Sequence, residues 1–216
     1  MSSTAKLAQG STLSISGTAG ANLTITAITK ATPAVASCTT PPAVGTVVVF
    51  TSATGMPEIV GRVGIVTAVS AGVSFTVNIA AAGFAAAATA AIGSPQVFTA
   101  ISNVKDFSAL EGMVAEIDVT NLSSIGKEFV PGLEDFGGIS GTVDLDPTDA
   151  GQIAAMTAKS AQVSLYFMLV YPSGSVRRAA LGFVKKFGEQ LAVDGVIKSA
   201  FEVRLTGRVS RTEIVS

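Results

Sequence analysis

The sequence predicts a mainly β protein: an antiparallel β-sandwich or open barrel with one α-helix at about 147–159, plus a small inserted all-β module. Three observations carry this expectation. Apolar and polar residues alternate at period two in several separate runs, the pattern of half-buried strands. Gly, Pro, Ser and Asn clusters separate those runs at short intervals, as turns do. Only one stretch, DPTDAGQIAAMTAKSAQ from Asp146, combines helix-start chemistry with a helix-like run.

Composition narrows the class further. The 216 residues suffice for one large domain or two small ones, and the 48% apolar content is that of a folded chain. MSSTAKLAQGST lacks the basic-then-apolar order of a signal peptide. The most apolar stretch, Ile79 to Gly93, is Ala-rich, interrupted by Gly83 and shorter than the ~20 residues of a spanning helix, so no membrane insertion is expected. The chain has no His and a single Cys, Cys38, which excludes Ser-His-Asp and Cys-His machinery, His-ligated metals and an internal disulfide. Cys38 reads as a small packed filler.

Charge is unevenly distributed. Up to Ala100 the only charged residues are Lys6, Lys30, Glu58 and Arg62. From Asp106 to Asp149 ten acids face Lys127 alone, and from Ala150 onward nine bases face four acids. This discontinuity, with the Pro and Gly borders, predicts one β-sandwich domain from 1–30 and 95–216 and a separate module at 31–94, dispensable for assembly.

In chain order, STLSIS and NLTITAIT between Ser11 and Thr29 predict a hairpin or two strands of a sheet. Within the module, strands are expected at Thr46–Thr51, Gly61–Val69 and Val73–Ile79, with Glu58 and Arg62 forming a local i, i+4 salt bridge. Val97, Thr99 and Ile101 open another strand. Met113, Ala115, Ile117 and Val119 then alternate with Val114, Glu116, Asp118 and Thr120, and Ile139, Gly141, Val143 and Leu145 alternate with Ser140, Thr142 and Asp144. These two runs predict an antiparallel sheet with one wet face, around a long irregular loop, NLSSIGKEFVPGLEDFGG.

Asp146 suits a helix N-cap, with Pro147 at the first helical position and Asp149 near the positive end of the dipole. Ile153 and Met156 are expected to face the sheet, and the helix to end near Lys159. Asp144, Asp146 and Asp149 make a D-x-D-x-x-D array without the Gly turn and terminal Glu of a calcium loop, so they read as capping and strand-end residues, and no metal or cofactor is assigned. Gln162–Tyr171 and Val176–Phe187 are strands around a Pro172-Ser173-Gly174 turn. In the last long strand Phe201, Val203, Leu205 and Val209 share one face, and Glu202, Arg204, Thr206 and Arg208 the other.

Two phrases resemble known families. VGTVVVFTSATGMPEIVGRVGIVTAVSAGVSFTVNI is similar to a small β module of phage structural proteins, through Gly45, Met56, Glu58, Gly61, Arg62 and Phe75; GFAAAATAAIG replaces its usual Tyr-rich tail. IDVTNL, then KEFVPGLEDFGGISG and an Asp-Pro helix start, resembles the major tail tube protein of long-tailed, siphovirus-type bacteriophages over residues 97–210. That resemblance implies a structural virion protein without catalytic activity, made in the bacterial cytoplasm and assembled in the tail as stacked, hexameric rings. Its implied partners are further copies of itself and tail proteins such as the tape measure and terminator, while DNA passes through without specific binding. Glu128, Phe129, Val130, Pro131, Gly132 and Leu133 would form an inter-subunit loop. Because a row of Lys or Arg would hold phosphates, the lumen is expected to be neutral or acidic, lined by Glu116 and Asp118 and by Asp144.

Two other classes fit parts of the sequence. A virion-decorating adhesin or tail adaptor would use the module as a binding unit. A glycosidase could pair Glu116 with Asp118, but the few aromatic residues and the absence of Trp leave little to stack a sugar ring.

Overall fold

The computed structural model describes residues 9–109, 112–172, 176–191 and 195–213; the turn expected at Ser173 and Gly174 lies outside them. In chain order the elements are β1 (Thr12–Ala19), β2 (Leu23–Ile25), β3 (Ala27–Ile28), β4 (Ala34–Ser37), β5 (Val47–Thr54), a 3-10 turn at Pro57–Ile59, β6 (Val63–Ser70), β7 (Ser74–Val77) and β8 (Ala90–Ala100). They continue with β9 (Val104–Ala109), β10 (Met113–Asp118), β11 (Phe129–Asp135), β12 (Gly138–Asp144), α1 (Ala150–Ala161), β13 (Ser164–Val170), β14 (Val176–Gln190), β15 (Lys198–Leu205) and β16 (Ser210–Glu213). The protein is mainly β, with one α-helix among the described residues: a large antiparallel sheet curls into a half-barrel, and a two-stranded sheet stands beside it.

The large sheet runs β3-β4-β7-β6-β5-β8-β1-β13-β14-β15-β12-β9, with β2 added to β8 and β16 to β14. Strand β8 organises its middle. Its first half carries β2 on one edge, through Ala91–Gly93, and β1 joins that edge from Gln96 onward, while β5 pairs along the other. Strands β1 and β2 therefore belong to one sheet without pairing to each other.

Alternation along the strands sorts side chains into three cores. On β5, Val48 and Phe50 point into a first core with Leu23, Ile25, Ile28, Met56, Phe75 and Val77, where full burial of Phe50 contributes about 2–3 kcal/mol. A second core gathers Leu13, Ile15, Ile139, Val143, Phe187, Phe201, Val203 and Leu205 beneath α1. Between them, Val47 and Ile65 meet Ala179, flanked by Phe98 and Met168. The first core thus includes residues 23–28 as well as the 31–94 segment, and the 94/95 boundary falls inside β8. Cys38 is buried and free.

The helix departs from expectation in its cap and its buried face. Asp149 is the N-cap, its carboxylate accepting from Gln152 N at 2.8 Å, and Asp146 instead accepts from the Thr148 N–H and hydroxyl at 2.9 and 2.7 Å. The helix runs two residues past Lys159 and stops where Gln162 adopts a left-handed conformation, φ 54°. Gly151, Gln152, Ala155 and Ala158 are buried, whereas Ile153 points outward, 43% exposed, and Met156 packs only partly on the core. The reason is contact distance: a Cβ on Gly151 would overlap the Ala100 carbonyl, so the backbone lies directly on the sheet at that turn. Gln152 then fills the joint, donating to Ser102 O and Asp144 O and accepting from Asp146 N, each at 3.0 Å.

Glu58 and Arg62 form no carboxylate–guanidinium pair. Arg62 Nε donates to the Glu58 backbone carbonyl at 2.7 Å and stacks over Phe84, while the Glu58 carboxylate accepts from Ala85 N at 2.9 Å. The 3-10 turn places the Glu58 side chain toward the Ala-rich segment, so the backbone takes both partners.

Candidate assembly surface

The two runs flanking the long loop do not pair with each other. Strand β12 has both edges filled, by β15 and β9, so β10 finds no open edge there. It pairs with β11 instead, which turns the second half of the expected irregular loop into a strand. The expectation that one face of Met113–Val119 packs is therefore corrected: every residue of β10 is exposed. Pro131 is tolerated because, among the described residues, the outer edge of β11 has no partner strand, so no ladder bond is lost there.

Opposed residues share a face of the ribbon. Ile117 lies opposite Val130 on one side; Glu116 lies opposite Pro131 and Asp118 opposite Phe129 on the other. A register shift between Val114 and Glu116 takes up an extra residue of β11. Phe129 and Val130 are about half exposed and Leu133 is 89% exposed. Among the described residues no other chain segment covers either apolar face.

The tip of the hairpin is held by short polar bonds. Val119 N donates to Glu128 O and Glu128 N to the Thr120 hydroxyl, both at 3.0 Å. Asn121 accepts from Ser123 N at 2.9 Å and from Ser124 N at 3.0 Å, and Ser124 Oγ donates to the Glu128 carboxylate at 3.1 Å. This scaffold presents Leu122 and Ile125 fully to solvent. Two apolar side chains in the Asn/Ser-rich phrase NLSSIG are the sequence signal for this tip.

Two ion pairs fasten the root. Arg204 Nη2 lies 2.6 Å from Asp135 Oδ2, and Arg208 Nη2 lies 3.1 Å from Glu134 Oε2. The Gly137 N–H and the Arg204 guanidinium hold the Asp135 carboxyl below its usual range. Thr120, through its hydroxyl and its N–H, does the same for Asp118. Part of the acidic segment is thus answered by the basic segment within one chain.

Of the residues expected to act together, Glu116, Asp118 and Glu128 to Leu133 all lie on the hairpin. Asp144 does not. It sits on β12 opposite Lys198, its carboxylate mostly shielded and 2.8 Å from Lys105 Nζ. The Asp144, Asp146 and Asp149 carboxylates serve three separate local contacts, and among the described residues no group of three acids or thiols converges. The chain matches no protein-family model and no curated protein.

Proposed function

We propose that this chain is a structural virion subunit that polymerises with copies of itself into stacked, hexameric rings forming the tail tube of a long-tailed phage. The observation that carries the proposal is the β10–β11 hairpin. A two-stranded ribbon alone in water is marginal and needs a third strand or a packed face. Among the described residues this one has neither, exposes apolar residues on both faces, and leaves both outer edges unpaired. A second copy supplies what is missing, and a repeated head-to-tail contact closes a ring around one axis and stacks along it. The phrase EFVPGLEDFG, on which the family resemblance rests, occupies this ribbon. The tape measure and terminator are the other tail partners of such a subunit. Glu116 and Asp118 face the passage taken by DNA, which crosses without specific binding.

Electron microscopy and sedimentation of the purified protein test the reading. Rings or tubes are expected at high concentration, and Phe129→Ala with Leu133→Ala should abolish them while leaving the subunit folded. A compact monomer at all concentrations, with the double variant indistinguishable from it, overturns the proposal.

A further inference from the structure

A groove begins beside the hairpin root and leads away from it. Gly112, Val114 and Phe136 line its first part, about 400 Å³, which continues past Arg208 and Val209 into a trough of about 730 Å³ between the β6–β7 side of the half-barrel and the β15–β16 link. Val63, Ile79 and Leu181 line the trough with Arg62 and Arg211. The spacing of those arginines is built into the fold. Asn78 Nδ2 donates to Arg211 O at 2.8 Å and to Ser210 Oγ at 3.1 Å, while Asn78 Oδ1 accepts from Ile65 N at 2.7 Å, pinning the start of β16 against β6 and β7. Arg62 is held by Glu58 O and by the Phe84 ring, 4.7 Å from its centroid. Among the described residues neither Arg62 nor Arg211 takes part in an ion pair, whereas Arg208 is tied to Glu134.

Resting on the oligomeric reading above, we infer that this groove receives the β10–β11 hairpin of a second copy. The two surfaces match in kind. One face of the hairpin carries Glu128 beside exposed Ile117 and Val130; the trough offers Arg62 and Arg211 beside Val63 and Leu181. Carboxylates brought against guanidinium groups at a partly desolvated site form charge-assisted bonds that fix register as well as affinity. The geometry also propagates. Each copy's groove starts at the root of its own hairpin, so a seated arm leaves the recipient's arm free for the next copy, which is the condition for a closed head-to-tail ring.

Charge exchange provides the test, read by sedimentation velocity and electron microscopy. Arg62→Glu with Arg211→Glu should raise the concentration needed for assembly by at least about tenfold, as should Glu128→Lys. Combining all three substitutions should return it to within about threefold of the parent chain. All three side chains are exposed, and unchanged circular dichroism confirms the variants fold. If the arginine variant assembles like the parent while Phe129→Ala with Leu133→Ala does not, the hairpin docks elsewhere and this inference fails alone. If the parent never assembles, the functional reading fails with it. If the arginine pair and Glu128→Lys each block assembly and the combined variant does not recover, direct pairing is refuted. Loss of binding to a short DNA duplex in the arginine variant, with assembly intact, would mean the groove holds a polyanion instead.

Discussion

Arg204 and Asp135, 69 positions apart, meet at 2.6 Å and tie the root of the β10–β11 hairpin to the main sheet. The same carboxylate accepts from Gly137 N at 2.8 Å, in the left-handed turn (φ 72°) that separates the hairpin from β12. One side chain thus joins the arm, the turn and the last long strand.

This contact predicts a pH-dependent hinge. The folded-state pKa of Asp135 is depressed below the ordinary 3.8, first by the Gly137 N–H and then by Arg204, so its contribution is present above that value and disappears as pH falls through the lower, folded value. Protection of the Gly137 and β11 amides, measured against their intrinsic exchange rate, should fall below about pH 4, and Asp135→Asn should show the lower protection already at neutral pH. The pair is exposed, so the global melting temperature should hardly move. Unchanged exchange in the variant would show that the turn alone holds the arm.

The seat of α1 depends on two residues. Gln152→Leu keeps the volume but leaves Ser102 O, Asp144 O and Asp146 N without their partner, at an expected cost of about 2–4 kcal/mol in urea unfolding. Gly151→Ala should cost roughly 1–3 kcal/mol by pushing the helix off Ala100. Ile153→Ala, on the exposed side, should change stability far less. Equal effects at Gln152 and Ile153 would contradict the assigned helix face.

Charge along the proposed DNA passage can be reversed on the hairpin alone. Glu116→Lys with Asp118→Lys should give assembled tails whose DNA delivery is slowed and becomes sensitive to salt, because cations on the path bind phosphate with counterion release. Asp144→Lys is expected to act differently. It removes the partner of Lys105 and so lowers subunit stability, measurable without any DNA. Delivery kinetics unaffected by the first pair would remove both carboxylates from the passage.

Excising residues 31–94 in favour of a Gly/Ser linker should cost more than the segment itself. The cut strips β5 from β8, leaves Leu23, Ile25 and Ile28 without the first core, and uncovers Phe98, Met168 and Ala179. A broad, early thermal transition is expected. A sharp transition at the parent temperature, with tubes still forming, would establish the segment as an independent module.

The sequence by itself determined the class of fold and the orientation of its best strands. Ile139 and Val143 are buried as their alternation required, as are Phe201, Val203 and Leu205. Side-chain period and local turn chemistry are properties of neighbouring residues, so they survive in the sequence. Pairing does not. Met113–Asp118 alternates as well as Gly138–Asp144, yet only the second joined the main sheet, because β9 and β15 took both of its edges and left β10 to β11. Strands β4, β9, β11 and β16 were not legible; β4 and β16 are four residues long and β11 contains Pro131, so each depends on a partner strand more than on its own pattern. The carboxylates of Asp144, Asp146 and Asp149 look alike in sequence and acquire separate roles only from what folding brings beside them: Lys105, Thr148 and the first turn of α1. Likewise Arg204 and Arg208 showed a polar face but not its use. Their acids lie about seventy positions earlier in the chain, and such distant charges meet only once the sheet has curled and its edges are allotted.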